Sequence, residues 1–140
     1  MKKIVFLIVI MISGLQAWSQ EAKSSKAAVI SFEEQLFDFG DITQGDVVRH
    51  TFKFKNSGND TLRLSNVTTT CGCTSPSWTK TPVAPGASGE IVASFNSTGK
   101  MGLQNKVVTV MSNASNSQAT FTIKANILPA AGDNMRAGQK

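Results

Sequence analysis

Val47-Val48-Arg49-His50-Thr51-Phe52-Lys53-Phe54-Lys55 alternates apolar and polar side chains from Val48 onward, and Asn56-Ser57-Gly58-Asn59-Asp60 follows it. Successive side chains on a strand point to opposite faces. Val48, His50, Phe52 and Phe54 therefore share one face, and Arg49, Thr51, Lys53 and Lys55 share the other. One apolar and one charged face is the pattern of a half-buried antiparallel strand. The Asn/Gly/Asp cluster behind it marks a turn.

The same reading extends outward in both directions. Ile30 to Phe39 is a first strand region, with Phe37 and Phe39 on one face and Gly40 and Gly45 as breaks. Thr61 to Thr68 reads as a strand with Leu62 and Leu64 inward and Arg63 outward. Pro76, Pro82 and Pro85 make Thr74 to Ala87 loop or edge structure, since proline cannot donate to a ladder. Gly89 to Phe95 places Ile91, Ala93 and Phe95 on one face. Leu103 to Ser112 is apolar on both faces around Val107 to Met111, which predicts a central strand. Ala119 to Leu128 aligns Phe121, Ile123, Ala125 and Ile127. No stretch of this region carries a helical period. Short strands separated by polar turns predict an all-β fold, an immunoglobulin-like antiparallel β-sandwich of about seven strands. The domain is expected over residues 30–128, between a flexible lead-in at 20–29 and a disordered tail at 129–140.

Lys2-Lys3, the apolar run Ile4 to Ile12 and Ala17-Trp18-Ser19 have the order of a secretory signal, so residues 1–19 read as a signal peptide with Gln20 first in the mature chain. The apolar run is shorter than the about 20 residues a bilayer span needs. No cysteine adjoins the cleavage site, which excludes lipid attachment there. The expectation is a soluble exported protein, periplasmic or extracellular, with no stable membrane span after cleavage. Losing Lys2 and Lys3 lowers the net charge from +5 to +3. The remaining cations are spread along the chain without a block, which excludes a nucleic-acid footprint.

Both cysteines lie in Thr70-Cys71-Gly72-Cys73-Thr74. In an extended strand their Cα atoms would stand roughly 6.6 Å apart, at the far limit of disulfide geometry. Gly72 can bend the backbone between them. Closing so small a loop would contribute only roughly 1.6 kcal/mol. Four readings of Cys71 and Cys73 stand side by side. They are packing thiols beside the core, a labile redox pair, two thiolates for a soft ion such as Cu(I), or the frame of a partner-binding loop that includes Gly72 and Trp78. No Lys, Arg or His lies within six residues of the pair to depress a thiol pKa. Zinc would need four ligands, and His50 is the only imidazole. His50, on an apolar strand face, reads as a rim histidine, and Trp78 as a cover for one end of the core. No catalytic set, metal site or cofactor motif is identified.

The ordered set Phe37-x-Phe39-Gly40-x-Ile42, Phe52-x-Phe54-x-Asn56-x-Gly58 and Cys71-Gly72-Cys73-Thr74 resembles the domain of unknown function 1573. Pro85-Gly86, Phe95-x-Ser97-x-Gly99, Gly102 and Ser112-Asn113 fit the same pattern. The resemblance covers about Phe32 to Ile127 and implies an exported bacterial sandwich domain, similar to the major sperm protein and cilia-associated domains, without an assigned activity. Asp60-Thr61-Leu62 resembles a short O-glycosylation acceptor of exported Gram-negative proteins, and it also reads as plain turn. The functional expectation is a non-catalytic exported module that binds a protein or envelope component. Its rival is a thiol–disulfide or copper-handling protein that uses Cys71 and Cys73.

Overall fold

A computed structural model describes residues 25–130 of the chain. Eight strands follow in order: β1 (Ile30–Phe32), β2 (Leu36–Thr43), β3 (Val47–Asn56), β4 (Leu64–Thr69), β5 (Thr74–Trp78), β6 (Ser88–Asn96), β7 (Gly102–Ser112) and β8 (Gln118–Leu128). They form two four-stranded sheets, β1-β3-β6-β5 (sheet A) and β2-β8-β7-β4 (sheet B). The fold is all-β, and its inward residues are those the alternation selects. Phe52 and Phe54 of β3 and Ile91, Ala93 and Phe95 of β6 meet Val108 and Val110 of β7 and Phe121, Ile123, Ala125 and Ile127 of β8 in one core. Phe52 stacks on Phe121 across the two sheets with ring centroids 3.9 Å apart, and Phe32 meets both Phe54 and Phe121 edge-on. Each fully buried aromatic of this kind stabilises by about 1.5–3 kcal/mol. The central position expected of Leu103 to Ser112 is occupied by β7, between β8 and β4.

Four expectations change. Ile30 to Phe39 is not one strand region but parts of two. β1 pairs antiparallel with β3 in sheet A, and β2 pairs with β8 in sheet B. The polar run Glu33-Glu34-Gln35 carries the crossing, because its backbone is held on both sides: the Glu33 N–H donates to Lys53 O, and Thr122 N–H donates to Gln35 O. The β2–β8 pairing is parallel, so the sandwich is not wholly antiparallel. The strand expected from Thr61 starts only at Leu64, with Leu62 held by a single bridge to Val83. The Asn113 side chain explains the late start, since its Oδ1 accepts from Arg63 N–H and its Nδ2 donates to Thr61 O.

The fourth change concerns the lead-in. Ala28 is buried, Ser57 and Asn59 donate to the carbonyls of Val29 and Ala27, and Asn56 and Asn59 side chains accept from the Val29 and Ala27 N–H groups. Residues 27–29 are therefore fixed against the β3 turn rather than flexible. The expected signal segment at 1–19 and the tail from residue 131 lie outside the described residues. Among the described residues no helix is long and apolar enough to cross a membrane.

Candidate functional site

β4 and β5 are edge strands of opposite sheets. The chain between Thr69 and Thr74 therefore turns across one end of the sandwich, and both cysteines lie in that turn. Cys71 and Cys73 are joined by a disulfide, with Cα atoms 5.3 Å apart. The bend brings them inside the usual disulfide range, which an extended segment would only reach at its limit. Neither thiol is free, so the thiolate-metal reading does not describe this state, while Cys73 packs beside the core as the structural reading expected, in a disulfide rather than as a thiol. Among the described residues no group of three His, Cys, Asp or Glu could hold a metal ion. Gly72 has no positive φ, and a Cβ built on it would meet nothing within 4 Å. The bend therefore does not require glycine, contrary to the sequence reading.

Hydrogen bonds hold the turn independently of the disulfide. Thr69, opposite Val108 in β7, places its Oγ1 2.6 Å from the Cys71 carbonyl and 3.2 Å from that of Thr74. The Asn96 N–H donates to Cys73 O at 2.9 Å, and Thr70 N–H donates to Val107 O at 3.2 Å. Removing the disulfide as Cys71→Ser/Cys73→Ser is accordingly expected to lower stability by only roughly 1.6 kcal/mol. Thermal unfolding followed by circular dichroism should show a fall of roughly 6 °C. A loss above twice that would mean that the bond carries the corner.

The register places a row of residues beside the bond. Val47 of β3 lies opposite Asn96 of β6, and Asn96 is bonded in turn to Cys73. Val47, Gly72, Cys73, Ser94, Asn96, Thr98 and Lys100 line an open depression of about 500 Å³. Val47 is 54% exposed there, and Val92, opposite Thr51, is a second apolar residue on the same outer face. Lys100 supplies the one charge of the lining. Between the lining residues Asn96 and Thr98, Ser97 is fully buried. Its hydroxyl lies 2.9 Å from the carbonyls of Thr43 and Asp46 and from the Gly45 N–H, tying the β6–β7 loop to the β2–β3 turn.

Of the residues singled out from sequence, Cys71, Gly72 and Cys73 come together and Trp78 does not. Trp78 stands at the other end of β5, roughly 16 Å along the strand from Cys73. It packs against the core with the Lys80 ammonium 3.1 Å above its ring. That placement makes it a cover, not a neighbour of the groove. Its Nε1 is buried without a hydrogen-bond partner, a cost the ring's packing offsets. His50 is a rim residue, paired with the Glu34 carboxylate, stacked on Phe37 and edge-on to Phe52. Sequence reading missed Val47, Asn96, Thr98 and Lys100. Only Val47 carried a signal, as the apolar residue that precedes Val48 and so falls on the polar face.

The family model described as "Protein of unknown function (DUF1573)" matches residues 30–127. The chain belongs to this family. No curated protein matches it. Among solved structures, this DUF1573 chain is similar to a protein of unknown function from Porphyromonas gingivalis, with TM-score 0.64 and 18% identity over 76% of this chain. It spans half the length of that protein. A PapD-like domain of human CEP192 matches at TM-score 0.60 and 9% identity, over 74% of this chain and 88% of that one. Part of the Vibrio cholerae VesB protease matches at TM-score 0.58 and 18% identity, over 69% of this chain and 31% of that chain. At such identities the shared feature is the sandwich fold alone.

Proposed function

We propose that this DUF1573 domain is an exported, non-catalytic β-sandwich module that binds a protein or cell-envelope component at its disulfide end. The carrying observation is the open depression beside Cys73, where an exposed Val47 and the single cation Lys100 stand next to a loop pinned by the buried Ser97. A polar rim around an apolar contact is the usual composition of a protein-binding surface. The signal-like pattern of residues 1–19 supports export. Strand addition along β5 fits this surface poorly, because Pro76 removes a backbone donor from the middle of that edge.

The test places a photo-crosslinking amino acid at Thr98 in the depression, and in a control chain at Thr120 on the outer face of sheet B. Cross-linking in cells is expected to give a discrete adduct from position 98 and none from position 120. Equal adducts at both positions, or none at 98, would overturn the reading.

A further inference from the structure

We propose that the Cys71–Cys73 bond is a thiol-exchange site, opened by a protein dithiol that attacks the Cys73 sulfur. The proposal goes beyond partner binding and stands without it. Its basis is the division of labour at the corner. A disulfide that closes a three-residue loop adds little stability. The backbone around it is held by the Thr69 hydroxyl and by the Asn96 and Thr70 N–H groups. Breaking the S–S bond therefore need not unfold the turn, and the cysteines stay close enough to reclose. Here Gly72 is exposed and both cysteines are partly exposed, so an attacking group can reach them.

The surroundings of the two cysteines differ. Cys73 lines the depression with Lys100, whereas Cys71 does not line it. Cys71 instead has its Sγ 4.0 Å from the Thr74 hydroxyl. A thiolate is the reactive form in exchange, and a cation in the same depression as Cys73 favours its approach.

The exchange balances as follows. The incoming thiolate forms an S–S bond to Cys73 Sγ, and the Cys71–Cys73 bond breaks. Cys71 leaves as a thiolate and takes up a proton. The second thiol of the partner loses its proton and attacks its own sulfur in the mixed disulfide, which releases Cys73 as a thiolate. The partner dithiol is oxidised by two electrons and the cysteine pair is reduced by two. An incoming disulfide runs the steps in reverse.

The test uses glutathione as the probe thiol on the oxidised full chain, quenched with N-ethylmaleimide and mapped by peptide mass. Glutathione on Cys73 with the maleimide on Cys71 is the expected product. The opposite assignment, or a bond that resists reduction until denaturant is added, would overturn the proposal. Lys100→Glu should slow reduction by about threefold or more, and Lys100→Arg should restore the rate. An unchanged rate in Lys100→Glu would overturn the placement of the attack in the depression that Cys73 and Lys100 share. Circular dichroism of the reduced chain should retain the β spectrum, and unfolding on reduction would overturn the proposal. The Thr98 cross-linking result is independent of all these readouts, so failure of either idea is visible separately.

Discussion

Asn56→Ala is expected to lower the stability of the domain by about 4 kcal/mol, the sum of three part-buried groups left without partners at about 1–3 kcal/mol each. Asn56 ends β3 and is fully buried. Its Nδ2 donates to the carbonyls of Asp60 at 2.7 Å and Val83 at 3.0 Å. Its Oδ1 accepts from the N–H groups of Gly58 at 3.1 Å and Val29 at 3.3 Å. One side chain thus closes the β3 turn, anchors the segment before β1 and fastens the loop before β6. Alanine would strand three of these groups, the Gly58 and Val29 N–H groups and the Asp60 carbonyl, while Val83 O keeps the Leu62 N–H at 2.9 Å. A melting temperature lower by roughly 15 °C should follow. Asn56→Asp should be no milder near neutral pH, because it keeps the acceptors, loses the donors and buries a charge. Urea unfolding measures both variants. A loss below 1 kcal/mol for alanine would show that water replaces the amide.

The sequence was informative wherever one period explained both faces of a strand. β3, β6 and β8 alternate without interruption over their inward residues, which make half of the buried core. The split between β1 and β2 was not legible, because Glu33-Glu34-Gln35 contains no glycine or proline to announce a turn. Gly40 looked like a break but sits inside β2 with φ 67°, where the β2–β8 register shifts between Asp38 and Asp41. The parallel pairing of β2 depends on which strand it meets, and local pattern carries no information about that. The site divides in the same way. The Cys-Gly-Cys spacing marked the corner, yet Val47, Asn96 and Lys100 reach it only through the β3–β6 register and the β6–β7 loop. The spacing also left the bond undecided, since an extended segment sits at the limit of disulfide reach and the bend that closes it is a tertiary feature.

Gly89 is the second position where a large effect is expected. It is paired directly with Phe54 across β3 and β6. A Cβ at Gly89 would lie 2.4 Å from Phe54 Cζ and 3.0 Å from Cε1 and Cε2. The ring has no room to retreat, because Phe54 is fully buried and meets Phe32 edge-on at 6.2 Å. Glycine inside a strand costs about 0.5–1 kcal/mol relative to alanine. Here that cost is offset by a phenyl ring lying over the bare backbone. Gly89→Val is therefore expected to destabilise by about 3 kcal/mol, at the upper end of overpacking. Valine's strand propensity would act in the opposite direction, so a neutral result would refute the steric account outright. A double-mutant cycle with Phe54→Leu separates the clash from other causes. Gly89→Val should cost less in the Phe54→Leu background, with a coupling of about 1 kcal/mol or more. Strict additivity would mean that the ring swings aside and that the glycine is retained at this pair for some other reason.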